Sequence, residues 1–159
     1  MSTDVHIARI VLVDDSETDN FFLEIAIWIA GFSGECRSFE KAQDALDFLV
    51  KDRISVSTML LLDINMPGMT GFELAQALNT ELQPLNRLHV HMLTSSAWSE
   101  DMAVARSIPL VGRYLLKPLT RAMAARLLTE MDASTPLAPE HLQGLIASHV
   151  HNASNSALH

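Results

Sequence analysis

Four short apolar runs in this chain each end on side chains that can do acid, metal or phosphoryl chemistry. Residues 8–13 stop at Asp14 and Asp15, residues 58–62 stop at Asp63, residues 88–93 stop at Thr94 and Ser95, and residues 113–116 lead into Lys117 and Pro118. An acidic pair after an apolar run is by itself no more than a turn or a helix cap. Three carboxylates gathered in one place are another matter, because they repel one another and resist ionisation unless a cation compensates them. Oxygen ligands without Cys or His favour a hard divalent ion. Mg²⁺ is the common choice, since it keeps several waters and takes few carboxylates.

A metal, a lysine and a hydroxyl around one carboxylate are the parts needed to move a phosphoryl group onto an aspartate. On that reading Asp63 is the nucleophile and becomes a mixed anhydride. Asp14 and Asp15 hold Mg²⁺ beside Asp63, directly or through water, with the backbone carbonyl of Asn65 as a further protein ligand. Lys117 brings a positive point charge to the anionic group, and the Thr94 hydroxyl donates a hydrogen bond to a phosphoryl oxygen.

These residues are far apart in sequence, so the fold has to gather them. After Asp15 the pattern changes from strand to helix, with Phe21, Phe22, Ile25 and Ile29 as its apolar stripe and an end near Gly31; Trp28 is assigned to the core. Residues 35–39 read as a second, less hydrophobic strand, and about 41–51 as a helix that buries Ala42, Ala45, Leu46 and Leu49. The run at 58–63 is almost continuously apolar, as expected of a central strand covered on both faces. Pro67, Gly68 and Gly71 punctuate the next loop. A helix over about 72–82, a strand over 88–94, a weaker helix over 99–107, a short strand over 113–116 and a helix over 120–131 complete the series. Five strands alternating with five helices predict an α/β fold, because parallel neighbours need crossover connections. In open sheets of this kind ligands bind beyond the carboxyl ends of the strands, where all four candidate positions fall.

Val13-Asp14-Asp15, Leu62-Asp63-Ile64-Asn65-Met66-Pro67-Gly68, Thr94-Ser95 and Tyr114-Leu115-Leu116-Lys117-Pro118 together resemble the signature of response-regulator receiver domains, over about residues 6–132. The resemblance implies a flavodoxin-like, doubly wound sheet of five parallel strands in the order 2-1-3-4-5. It also implies Asp63 as phosphoacceptor, a cis peptide between Lys117 and Pro118, and Thr94 with Tyr114 as the signalling switch. The input partner it implies is a sensor histidine kinase or a histidine phosphotransfer protein. An output partner would meet the face of the fourth helix, fifth strand and fifth helix, where Trp98, Met102, Arg106 and Arg113 are candidate contacts. Two positions depart from the pattern. Ser95 stands where the family usually has Ala or Gly, and Ser96 replaces the acidic or amide side chain of some fast-hydrolysing members.

The remaining composition narrows the setting. A formal net charge of −8 disfavours direct binding to nucleic acid or anionic lipid. The single cysteine, Cys36, excludes an intrachain disulfide and reads as a small buried apolar residue. No basic-then-apolar leader and no run near the roughly 18 apolar residues of a membrane span are present, so the expected location is cytoplasmic without membrane insertion. His89 and His91 alternate along a strand and are read as structural. Residues 133–159 are expected to be an extension, a Pro-flanked linker followed by a short amphipathic helix over 139–150 with Leu142, Leu145, Ile146 and Val150 on one side, then a disordered end. His149 and His151 have no third metal ligand nearby. A homodimer stays open.

The reading that follows is a single-domain, phosphorylation-controlled binding module. It is not an enzyme with a separate substrate, although it catalyses its own phosphorylation and dephosphorylation. A phosphate sink or relay intermediate without output is the alternative. An aspartate-nucleophile phosphohydrolase of the haloacid dehalogenase type is disfavoured, because that family expects Asp-x-Asp near its N-terminus and here the second position is Asn65.

Overall fold

Continuous apolar sequence decides which strands lie inside. The computed structural model describes residues 6–82, 87–95 and 111–132. Its elements are β1 (Arg9–Val13), α1 (Glu17–Ile29), β2 (Glu35–Phe39), α2 (Ala42–Asp52), β3 (Thr58–Asp63), α3 (Gly71–Glu81), β4 (Leu88–Thr94), β5 (Val111–Leu116) and α4 (Arg121–Asp132). β1 and β3 are buried at every residue, whereas β2 is exposed or half-buried throughout. All neighbours pair in parallel, in the order β2-β1-β3-β4-β5, so β3 is central and β2 an edge as its composition predicts. β5 begins two residues earlier than the predicted strand. The helix predicted over 99–107 and everything after Asp132 lie outside the described residues.

Alternation along the strands builds a core on each face. Val11, Val13, Leu60, Leu62, Val90 and Met92 meet Ala45 and Leu49 of α2 and Leu74 and Leu78 of α3. On the other face Ile10, Leu12, Met59, Leu61 and Leu93 meet Leu23 and Ile27 of α1 and Ala124 and Leu127 of α4. At the edge where the strands begin, the buried Arg9 donates to Asp52 at 2.8 Å and to Thr58 Oγ1 at 3.0 Å, and its guanidinium lies over the Phe48 ring. The Arg9 hydrogen bond, the largest influence, holds the Asp52 carboxyl down at about 2 against the opposing effect of burial.

α1 departs from the sequence expectation. Its buried residues are Asn20, Leu23 and Ile27. Phe21, Phe22 and Ile29 of the predicted stripe are exposed, and Trp28, assigned to the core, is 73% exposed. Leu23 and Ile27 lie opposite Phe21, Ile25 and Ile29 on this helix, so periodicity alone could not choose the inner face. The rotation is set instead by Asn20, whose side-chain amide donates to the backbone carbonyls of Asp14 at 3.0 Å and Phe39 at 3.3 Å. Trp28 lies one residue beyond Ile27 and is therefore turned about 100° from the core.

One irregularity interrupts the sheet. Val90 pairs with Val111 and His91 with Arg113, leaving Gly112 as an extra residue in β5. A Cβ on Gly112 would stand 3.3 Å from the His91 ring, so the bulge sits where the imidazole needs room.

Candidate functional site

The carboxyl ends of the strands bring the predicted acids together. Asp14 and Asp15 follow β1 and Asp63 ends β3, and a carboxylate oxygen from each lies within 4.8 Å of the others. Asp14 and Asp63 are buried and Asp15 is exposed, so the cluster opens to solvent on one side. Asp14 is fixed from several directions. Its N–H donates to the Phe39 carbonyl at 3.1 Å, and its Oδ1 accepts from the Ser16 N–H at 2.9 Å. Ser16 in turn caps α1 by accepting from the Asp19 N–H at 3.2 Å.

Lys117, one residue past β5, reaches the same place. Its Nζ lies 2.5 Å from Asp14 Oδ2, 3.2 Å from Asp63 Oδ1 and 3.3 Å from Asp19 Oδ2. Its backbone N–H donates to the Thr94 carbonyl at 2.7 Å, which ties the end of β5 to the end of β4. The peptide between Lys117 and Pro118 is cis, as the resemblance implied.

One ammonium cannot balance the acidic cluster, and the titration behaviour reflects this. Burial pushes the Asp63 carboxyl above its usual value; Lys117 opposes the rise, and the charges of Asp14 and Asp15 add to it. For Lys117, burial favours the neutral form, but the hydrogen bond to Asp14 and the negative charge of Asp63 outweigh it and the ammonium is held above its usual range. Oxygen donors with surplus negative charge and one open side fit a hard divalent cation, and Asp14, Asp15 and Asp63 are the residues that would hold it.

The loop after Asp63 depends on a close approach. Gly71 opens α3 and its N–H donates to the Ile64 carbonyl at 3.0 Å. A Cβ at position 71 would lie 2.4 Å from the Asp63 carbonyl oxygen and 3.1 Å from Ile64 Cα. Sequence reasoning treats Gly71 as punctuation; its role is to let a helix terminus seat directly against the backbone of Asp63. Gly71→Ala is expected to destabilise the fold by about 2 kcal/mol or more, since both clashing groups are backbone. Urea unfolding of the variant with an unchanged midpoint would contradict this.

The remaining predicted residues fall as follows. Asn65 is exposed two residues after Asp63, and Ser95 is exposed just past β4. Thr94 and Tyr114 are fully buried, with Tyr114 in the core shared by α2 and α3. Arg113, a candidate partner contact, is only 1% exposed and stands in register opposite the buried His91. Trp98, Met102, Arg106 and Ser96 lie outside the described residues. Cys36 is half-buried, and burial followed by the charge of Glu24 pushes its thiol up to about 12, so it is no nucleophile.

Comparison with known proteins bears on the same region. Residues 10–129 match the family described as the response regulator receiver domain. The chain is 27% identical to the two-component response regulator ORR1 of Oryza sativa subsp. japonica over 81% of its own length, but it spans only 57% of that protein. It is 29% identical to chemotaxis protein CheY-3 of Vibrio cholerae, covering 72% of this chain and 83% of that one. A two-component response regulator from Cytophaga hutchinsonii has a similar crystal structure, with a TM-score of 0.70 and 29% identity over 79% of this chain and 96% of that one.

Proposed function

Because the chain belongs to the response regulator receiver family of two-component signalling, we propose that it takes a phosphoryl group from a phosphohistidine onto Asp63 and thereby changes which partner it binds. The observation that carries this reading is the meeting of Asp14, Asp15, Asp63 and Lys117 from three separate strand ends, with two of the three carboxylates buried.

Asp63 is the acceptor because it is buried at the centre of the cluster with Lys117 beside it, whereas Asp14 is already engaged by Lys117 and the Ser16 N–H. Mg²⁺ held by Asp14, Asp15 and Asp63, with the Asn65 carbonyl as a further ligand, would neutralise phosphoryl oxygens. Lys117 balances part of the negative charge that transfer brings to Asp63. Its tie to the Thr94 carbonyl keeps it in register with β4. Thr94 is the residue through which the modification is read, its hydroxyl donating to the phosphoryl group. Tyr114, whose ring is buried, is the packing neighbour that registers the change. The input is a sensor histidine kinase or histidine phosphotransfer protein in the cytoplasm.

The test is labelling by a phosphodonor with Mg²⁺ and with excess chelator. A base-labile acyl phosphate should form with Mg²⁺ and fall to background without it; labelling at full rate in chelator would overturn the metal assignment. Thr94→Ala should still accept the group but lose its effect on partner affinity. Titration of a captured partner with and without beryllofluoride measures this, and an unchanged affinity ratio would rule Thr94 out.

A further inference from the structure

The outer side of α1 is apolar for two turns and nothing among the described residues covers it. Phe21, Phe22, Trp28 and Ile29 are 58%, 62%, 73% and 46% exposed. Phe21, Ile25 and Trp28, with Phe32, also line a groove of about 390 Å³ beside the helix. Glu24 also lines this groove, but the outer face itself carries a contiguous group of large apolar side chains, which marks a packing site. We propose that residues 139–150 of the same chain fold onto this face as a short amphipathic helix, with Leu142, Leu145 and Ile146 against Phe21, Ile25 and Trp28.

Three observations favour the chain's own extension as the occupant. The first is where the described chain ends. α1 and α4 each follow a parallel strand and pack on the same face of the sheet, so both run back towards the edge where the strands begin. Asp132 therefore ends beside the last turn of α1, which carries Trp28 and Ile29. The six residues 133–138 reach at most about 20 Å, enough to cross one helix width of about 10 Å. A segment of twelve residues is about 18 Å long as a helix, close to the length of α1.

The second is pattern. Leu142, Leu145, Ile146 and Val150 recur at spacings that place them on one side of a helix. Gly144 and the short length make such a helix marginal alone, so it forms only against an apolar partner. The third is area. The exposed parts of the four large side chains amount to roughly 400–500 Å², about half of the 800 Å² per partner that a stable complex between two soluble chains buries. A tethered segment does not need an interface of that size, because its effective concentration is high.

The experiment uses the full chain with Trp98→Phe, so that Trp28 is the only tryptophan. Acrylamide quenching of Trp28 should be weak, and Leu145→Glu or removal of residues 139–159 should raise it severalfold with a red shift in emission. Both changes lie outside residues 10–129, the span of the family match, so the domain's own sequence is the same in all three proteins. Quenching that is the same in all three proteins would overturn the proposal. Protection that survives Leu145→Glu, depends on protein concentration and accompanies a doubled mass in sedimentation would assign the face to a second copy, and would overturn it equally. In the chain without any substitution, amides of residues 142–146 should exchange slowly with solvent; exchange at the rate of an open chain would also refute it.

Discussion

Asp63→Asn is expected to abolish labelling by a phosphodonor and, in metal-free buffer at neutral pH, to make the protein more stable. The amide keeps the shape of the carboxyl but has no anionic oxygen to attack phosphorus, so the first effect is complete loss. The second follows from the raised pKa of Asp63, caused by burial and then, against the opposition of Lys117, by Asp14 and Asp15. A carboxyl whose folded pKa lies above its unfolded value destabilises the fold wherever it is ionised. The penalty is full above the folded pKa and disappears as pH falls below the ordinary carboxylate value, about 3.9, where both states are protonated. The variant should therefore melt higher at pH 7, by about 2–4 °C for each kcal/mol relieved, and the gain should shrink towards pH 4. Mg²⁺ should raise the melting temperature of the wild type more than that of the variant. A variant less stable than wild type at pH 7, or one that still takes label, would contradict the argument.

The second large effect belongs to His91, at the middle of β4. The imidazole is 2% exposed, and neither ring nitrogen has a hydrogen-bond partner among the described residues. Burial, followed by the charges of Arg113 and His89, pushes its pKa down to about 3. A base whose folded pKa is depressed contributes stability above its unfolded pKa of about 6.5 and loses it as pH falls towards the folded value. Between pH 7 and pH 4 this one group should cost roughly 3 kcal/mol. His91→Leu removes the ionisation and two unsatisfied nitrogens, so it should gain about 1 kcal/mol at pH 7 and much more at pH 4. Urea midpoints at the two pH values measure the difference; parallel losses in wild type and variant would sink the assignment.

The acids and the lysine were legible because each follows an apolar run of strand length; pattern marked β3 as central and β2 as an edge, while the full strand order was implied by the family resemblance. An apolar run of strand length that stops at a charged residue marks both the element and its functional end. β3 illustrates this well, since its unbroken burial is written in Met59 to Leu62. α1 was not legible in the same way. Phe21, Phe22, Ile25, Trp28 and Ile29 form one broad apolar stripe, but Leu23 and Ile27 lie opposite it on the buried side, where Asn20 donates to two backbone carbonyls. Arg113 misled for a different reason. Charge suggests a surface, yet it stands opposite His91 in the sheet and both residues are buried. Gly71 was visible as a breaker, but the close approach that demands glycine is a tertiary contact with no sequence signal.

The three strands that end on Asp14, Asp63 and Thr94 lie side by side in the interior of the sheet, while Lys117 hangs from β5 at its border. Interior strands come apart only when the whole molecule does, and border strands open at smaller cost. Asp14 and Asp63 accordingly stand at the ends of interior strands, β1 and β3. The acid cluster and its counter-charge are thus carried by strands of different standing in the sheet, two inside it and one at its border.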